Sequence, residues 1–458
     1  MLSALGLMLN AVPFVVALLL GLGVPLLLLW LYRSFAAGAA FIALIFTSDA
    51  VFFGSARLNL GIHVYVDDLA FLLMGGAATA RWMWARDMPG RPRLWLAFVG
   101  LFVFATVSGL MSHGTAAGVQ AREFFYAIVA ASYFMSFPVQ AAQLHILLKA
   151  LMWAAAALLL VCAYRWLVYY WPIPELLPPG RVWSADGPTR VIASHQTLWL
   201  AQLLIVGLFF TPLGRAAQVA RWLAPLWLVA VLALQHRSVW VALAIGVVCA
   251  LALAPTVQAS RAGQLGALII VIVLTALPLV YSERLSGVTQ EIGRSAATAV
   301  AGQGTVHSRL QDWRQTLGDW SRAGPRALWV GYGFGRDTAR IIVNEQGERR
   351  LITFGAHNHY ITMLTQTGLL GLACFLAVAL GTARGLYRLC RAGEGAASVA
   401  ASVLLVWLVM QLAYYVPYAG DTLQHALLGV ALALVATRAK ATAKTPARPL
   451  HPRDLAWR

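Results

Sequence analysis

Charge is what this chain lacks. Only 11% of its 458 residues are Asp, Glu, Lys or Arg, and 60% are hydrophobic. Soluble domains carry about 25% charged residues, so a soluble fold of this size could not cover its surface. Many uncharged runs approach the roughly 20 residues a helix needs to cross a bilayer, and the pattern predicts an all-α polytopic membrane bundle of about 12–14 transmembrane helices. Acids are scarcer than bases, 17 against 34, for a net charge of +17. That excess does not indicate nucleic-acid binding, because no basic segment is both long and rich in stacking aromatics. Basic residues accumulate in cytoplasmic loops, and the 17 Trp and 14 Tyr read as interfacial belts. Cysteine is nearly absent. Cys162, Cys249, Cys374 and Cys390 show no metal-ligand spacing, which excludes a disulfide framework and a thiolate metal site. The uncharged run Met1–Tyr32 lacks a basic leader and reads as a first membrane segment, bent at Pro13 or at Gly23-Val24-Pro25, rather than a cleavable signal.

The uncharged runs place spans near 11–32, 35–53, 66–84, 94–111, 122–139, 146–171, 191–211, 219–235, 238–254, 264–281, 358–381, 397–416 and 422–437. One alternating set of short loops is basic, with Arg33, Arg86, Arg91, Arg93, Lys149, Arg215, Arg221, Arg261, Arg384, Arg388 and Arg391. The positive-inside rule puts that set in the cytoplasm. The chain then divides into N-terminal transmembrane helices (1–281), a large periplasmic loop (282–356), C-terminal transmembrane helices (357–437) and a basic cytoplasmic tail (438–458). The loop is 75 residues long with ten arginines and seven acids. A structureless loop of that length is uncommon unless functional, and long loops cross regardless of charge, so an anionic partner is expected there. Its stretch Arg309–Leu317 has apolar residues at helical spacing, predicting a short amphipathic helix on the membrane face. Its acids, Asp312 and Asp319 among them, read as surface pairs with the arginines.

The chemistry-bearing residues concentrate at the exported edge. Gly331-Tyr332-Gly333-Phe334-Gly335 precedes His357-Asn358-His359-Tyr360, and Gly368 and Gly371 follow. Imidazole, with a reference pKa of about 6.5, can accept a proton near neutrality. At the bilayer rim it can meet a lipid-borne and a water-borne substrate together. The bland alternative is that both histidines cap or anchor the helix. His357 and His359 diverge at i, i+2 on a helix, which argues against a metal pair. Gly368 and Gly371 read as small residues allowing close helix packing. Arg122, Arg190 and Arg237 stand at exported span edges, and a guanidinium offers a planar fork to phosphate oxygens. Snorkelling to headgroups is the alternative for each. Asp67-Asp68 reads as a helix N-cap before an acid/base pair.

The run His357-Asn358, nine residues, Gly368, two residues, Gly371 resembles the signature of the bacterial O-antigen ligases. Around it, residues 185–385 resemble the wider O-antigen ligase and polymerase family: Arg237-Ser238-x-Trp240 at a span edge, a large loop with Arg309 and Trp313, then the Gly331-x-Gly333-x-Gly335 turn. Residue 359, a histidine here, and the long basic tail depart from the pattern. The resemblance implies a GT-C-type membrane glycosyltransferase in the bacterial inner membrane, active at the periplasmic face. Its donor would be a glycan on undecaprenyl diphosphate and its acceptor lipid A–core, or a growing polysaccharide for a polymerase. No cofactor and no metal would be required. It puts the family histidine at His357 and phosphate-binding arginines at Arg190, Arg237 and Arg309. Together with the residue reading, the expected site is His357 as catalytic residue, with Arg190, Arg237, Arg309, Arg122, Asn358 and His359 binding diphosphate or glycan. Three readings remain open: a ligase, a polymerase on the same scaffold, and a lipid-linked oligosaccharide flippase. The flippase is disfavoured because the polar residues gather at one face and no internal repeat is evident.

Overall fold

The computed structural model describes residues 22–52, 57–59, 63–90, 92–171, 173–177, 190–210, 215–257, 266, 305–336, 340–343, 349–352, 356–392 and 395–444. Helices dominate. The chain opens with α1 (Leu22–Arg33) and α2 (Phe35–Phe52), then a hairpin of β1 (Arg57–Asn59) and β2 (His63–Tyr65). Next come α3 (Val66–Trp84), α4 (Arg93–His113), α5 (Thr115–Met135), α6 (Ala141–Tyr170), α7 (Ser194–Phe209), α8 (Arg215–Ala233) and α9 (Arg237–Val257). The loop region holds α10 (Thr305–Ser321), α11 (Pro325–Val330) and a second hairpin, β3 (Arg340–Val343) with β4 (Arg349–Ile352). The bundle ends with α12 (His359–Ala392), α13 (Ala396–Tyr414) and α14 (Thr422–Lys444). Six of these helices are long and apolar enough to cross a membrane, and α1, α7, α8 and α9 are shorter apolar helices. The protein is an all-α polytopic membrane bundle whose only described strands form two short hairpins.

Twelve of the thirteen expected spans fall on these helices, the first of them described only from residue 22; of the remaining one, 264–281, only residue 266 is described, and residues 1–21 and 445–458 lie outside the described residues. The amphipathic loop helix forms as α10 and extends beyond Arg309–Leu317 at both ends. Neither hairpin was visible in the sequence, because strands of three or four residues leave no period to read. α14 runs to Lys444, seven residues into the expected tail, since Thr437 and the residues after it are good enough helix formers to continue.

The bundle is apolar in its core and on its outer faces, with a few polar side chains paired inside. Val241, Ile245 and Val248 expose one face of α9, and Trp153 and Leu160 do the same on α6, as lipid-facing surfaces require. Inside, Gln202 on α7 and Gln424 on α14 exchange amide hydrogen bonds of 2.8 and 2.9 Å, both fully buried. Trp407 of α13 donates to the Gln202 carbonyl at 3.1 Å and meets Trp199 edge-on. In a lipid-surrounded bundle such pairs fix register where apolar packing alone would let helices slide. At one end, Arg81 donates to the carbonyls of Tyr32 (2.8 Å) and Ser136 (3.2 Å) and pairs with Asp87 at 2.9 Å. Lys440 donates to the Met88 carbonyl at 2.7 Å, so α1, α3, α5 and α14 meet there. The starts of α3 and α14 point the other way, and at that opposite end the candidate residues gather.

Candidate active site

Local sequence sets each helix start. Asn358 Oδ1 accepts the Ile361 N–H at 3.0 Å, capping α12 and leaving His357 just outside it. Asp421 Oδ1 caps α14 by accepting the Gln424 N–H at 3.0 Å. Gln196 Oε1 accepts the Ala193 N–H at 3.0 Å, fixing the start of α7 beside Arg190. Arg165, buried on α6, donates to the carbonyls of Val191 (2.7 Å) and Val51 (3.1 Å) and ties that start to the end of α2. Tyr65, rather than Asp67 or Asp68, is the N-cap of α3; Asp68, three residues on, accepts the Tyr65 N–H at 2.8 Å.

The glycine boxes act together. α12 breaks at Gly368 (φ 69°), so the carbonyls of Thr365 and Gln366 lose their helical partners. Tyr332 and Gly333 fill them, their N–H groups donating at 2.8 and 3.1 Å. Gly331 (φ 78°) and Gly368 allow this, since a Cβ on either would sit 2.3 Å from the opposing backbone. Gly368 is therefore a break that receives the glycine turn, not a smooth packing surface, and it holds the loop region against the base of α12.

Between these starts lies a cavity of about 680 Å³. Arg190, Arg309 and His357 line it together, and Arg237 at the head of α9 is close enough to feel the charges of Arg190 and Arg309. Arg309 reaches in from α10 with its guanidinium 5.0 Å from the Tyr418 ring centroid, and His357 meets the same ring at 6.4 Å. Tyr418 stacks on Tyr414, whose hydroxyl bonds Ser194 at 2.7 Å. Segments far apart in sequence thus converge. The lining also carries Asp49, Asp67, Glu123, His195 and Asp421. His195 Nε2 lies 3.4 Å from Asp49 Oδ2, which also accepts from Gln196 Nε2 at 3.0 Å. One cavity therefore holds both guanidiniums and carboxyl groups.

Two neighbouring groups sit outside the helices. His236, in the turn before α9, is buried, and burial drives its pKa down to about 3 with Arg190 adding to the shift. Its neutral ring donates from Nε2 to the Ile192 carbonyl at 3.1 Å, bracing the Arg190 segment. Burial pushes the Asp421 carboxyl above the usual carboxylate range, against the opposing pull of His195.

Other expected residues lie elsewhere. Arg122 is not in the cavity lining: its Nε donates to Asp68 at 3.1 Å and its guanidinium covers the Tyr65 ring at 4.6 Å. Asn358 is occupied as a cap. His359 is buried, accepts the Gly420 N–H at 3.0 Å and stacks on Phe124. It lines a second chamber of about 250 Å³, which shares His357, Glu123, Ala419 and Gly420 with the first. Asp319 pairs with Arg322 at the surface as expected, but Asp312 is buried because it falls on the inward face of α10. Asp49, Glu123, His195 and Asp421 were not singled out in the sequence. The available signal was a lone ionisable residue in or beside an apolar run, which at membrane depth is a functional candidate by default.

Residues 222–376 match the family model for O-antigen ligase. The comparison with curated proteins gave no match. The matched stretch contains Arg237, Arg309, His357 and the glycine break of α12, whereas Asp49, Glu123, Arg190 and His195 lie before it.

Proposed function

From the match of residues 222–376 to the O-antigen ligase family model, we propose that this protein transfers a glycan from undecaprenyl diphosphate to lipid A–core at the periplasmic face. The observation that carries the reading is the cavity where Arg190, Arg309 and His357 meet, with Arg237 in electrostatic range. A polyprenyl diphosphate is already a good leaving group. The reaction then needs two things: cations to hold the charge that develops on the departing diphosphate, and a base for the acceptor hydroxyl. Three guanidiniums meet the first need, and one such preorganised donor is worth about 10²–10³ in rate. An imidazole meets the second, worth about 10²–10⁴. Three histidines line the cavity; His236 is engaged with the Ile192 carbonyl, which leaves His195 and His357 for this role. The acceptor oxygen bonds the anomeric carbon as the bond to the diphosphate oxygen breaks, and attack from the opposite face inverts that centre. No step calls on a metal or a nucleotide sugar.

The test is a glycolipid gel from a deletion strain carrying wild-type or His357→Ala protein at equal membrane levels. The reading expects wild type to restore long-chain lipopolysaccharide and the variant to leave the glycan on its polyprenyl carrier. Long-chain lipopolysaccharide from the variant would remove His357 from the chemistry. A deletion strain whose core carries single repeats instead would reassign the protein as a polymerase, whose reaction on the same cavity differs only in acceptor.

A further inference from the structure

Of the histidines lining the cavity, His195 and His357 stand in different surroundings. His357 shares Tyr418 with Arg309. His195 lies in range of acids from three segments, Asp49 on α2, Glu123 on α5 and Asp421 before α14, and also of the buried His236. Its Nε2 is directed at Asp49, 3.4 Å away, so the proton of the neutral ring belongs there. Its Nδ1 has no hydrogen bond among the described residues, and the residue lines the cavity. The ring is held in place, with Phe46 edge-on at 5.7 Å and the side chain 30% exposed. Asp49 is fixed in turn by Gln196 Nε2 at 3.0 Å. A carboxylate that orients an imidazole and stabilises its protonated form, with the other ring nitrogen free, is the arrangement of a general base.

Resting on the transfer reading above, we infer that His195, oriented by Asp49, is the base that deprotonates the acceptor hydroxyl, while His357 works on the diphosphate side with the arginines. The acceptor oxygen gives its electron pair to the anomeric carbon, and the bond to the diphosphate oxygen breaks with its pair staying on the diphosphate. The hydroxyl proton passes to His195 Nδ1, and Asp49 holds the imidazolium until it releases that proton to water. The charges orient the two substrates: the anionic donor is drawn to Arg190, Arg237 and Arg309, and the acids around His195 repel it, leaving neutral sugar hydroxyls at His195. Asp49 is a positioning residue and His195 a catalytic one.

The experiment uses purified full-length protein with the lipid-linked glycan and the unglycosylated lipid A–core extracted from the deletion strain. Initial rates are followed across pH 5–9. His195→Ala lowers the rate about 10²–10⁴-fold with the KM for donor unchanged, and added imidazole restores part of it. Asp49→Asn keeps the fold while moving the acidic limb of the rate profile to lower pH, because the imidazolium loses its counter-charge. Arg237→Ala, by contrast, raises the KM for donor and is not rescued by imidazole. A His195→Ala rate equal to wild type, or an Asp49→Asn profile superimposable on wild type, overturns the assignment while leaving glycosyl transfer intact. Should His195→Ala fail to fold, the Asp49→Asn profile decides alone. Absence of product with wild type under these conditions would instead count against the transfer reading itself.

Discussion

At the scale of single residues, the same side-chain type does different work according to its neighbours. Arg81 and Arg165 are buried and spend their donors on main-chain carbonyls, whereas Arg190 and Arg309 face a cavity. The sequence puts Arg81 and Arg165 inside expected spans, Arg190 at a span edge and Arg309 in the long loop, and only the packing separates a brace from a ligand. Arg237→Lys keeps the charge and loses the planar fork; transfer is expected to fall about 10²-fold with detergent-solubilised stability unchanged, measured as initial rate beside a melting curve. A wild-type rate would take Arg237 out of the site. Asn358→Ala tests the opposite role. Losing the α12 cap should cost about 0.5–2 kcal/mol, seen as a lower melting temperature, while transfer per folded molecule persists. His236 gives a pH-dependent version. Its folded pKa of about 3 lies below the reference 6.5, so its stabilising contribution is complete above pH 6.5 and drains away as pH falls toward 3. The melting temperature of wild type should therefore drop between pH 6.5 and 4 more steeply than that of His236→Gln.

Elements were largely legible because each span is an uncharged run bounded by charge, and the edges of α3 and α6 fall within a few residues of where the sequence puts them. Two features were not legible. The hairpins β1–β2 and β3–β4 are too short to show a period. The break in α12 was hidden because Gly368 lies in an apolar stretch that reads as continuous helix; its conformation depends on the glycine turn of residues 331–335 arriving from outside. That dependence makes a test. Gly368→Ala forces a side chain into a backbone region open in practice only to glycine, costing about 1–3 kcal/mol, and drives its Cβ within 2.3 Å of the Trp329 carbonyl group. It should lower the melting temperature and detach the loop region, exposing the otherwise buried glycine turn of residues 331–335 to added protease. Gly381→Ala, on the same helix with open space around it, should be neutral or stabilising by up to about 1 kcal/mol. Equal behaviour of the two variants would mean that the break has no structural weight.

For the whole molecule, the question is which end faces out. The candidate residues sit at one end of the bundle, at the starts of α3, α7, α9, α12 and α14. The other end holds the described short-loop residues Arg33 and Arg86, where Arg81 and Lys440 cross-link α1, α3, α5 and α14. The proposed transfer requires the candidate end to face the periplasm, the side that the loop charge assigns to it. Surface labelling tests it. Arg322, after α10, has a side chain 76% exposed, and Arg388, in the last turns of α12, is exposed at the far end. In a background with Cys162, Cys249, Cys374 and Cys390 replaced by alanine, a membrane-impermeant maleimide added to outer-membrane-permeabilised cells should modify Arg322→Cys at once. Arg388→Cys should react only after lysis. The reverse pattern would put the arginine cavity on the cytoplasmic side, where a finished glycan on the exported leaflet could not reach it, and transfer to lipid A–core at the periplasmic face would no longer be tenable.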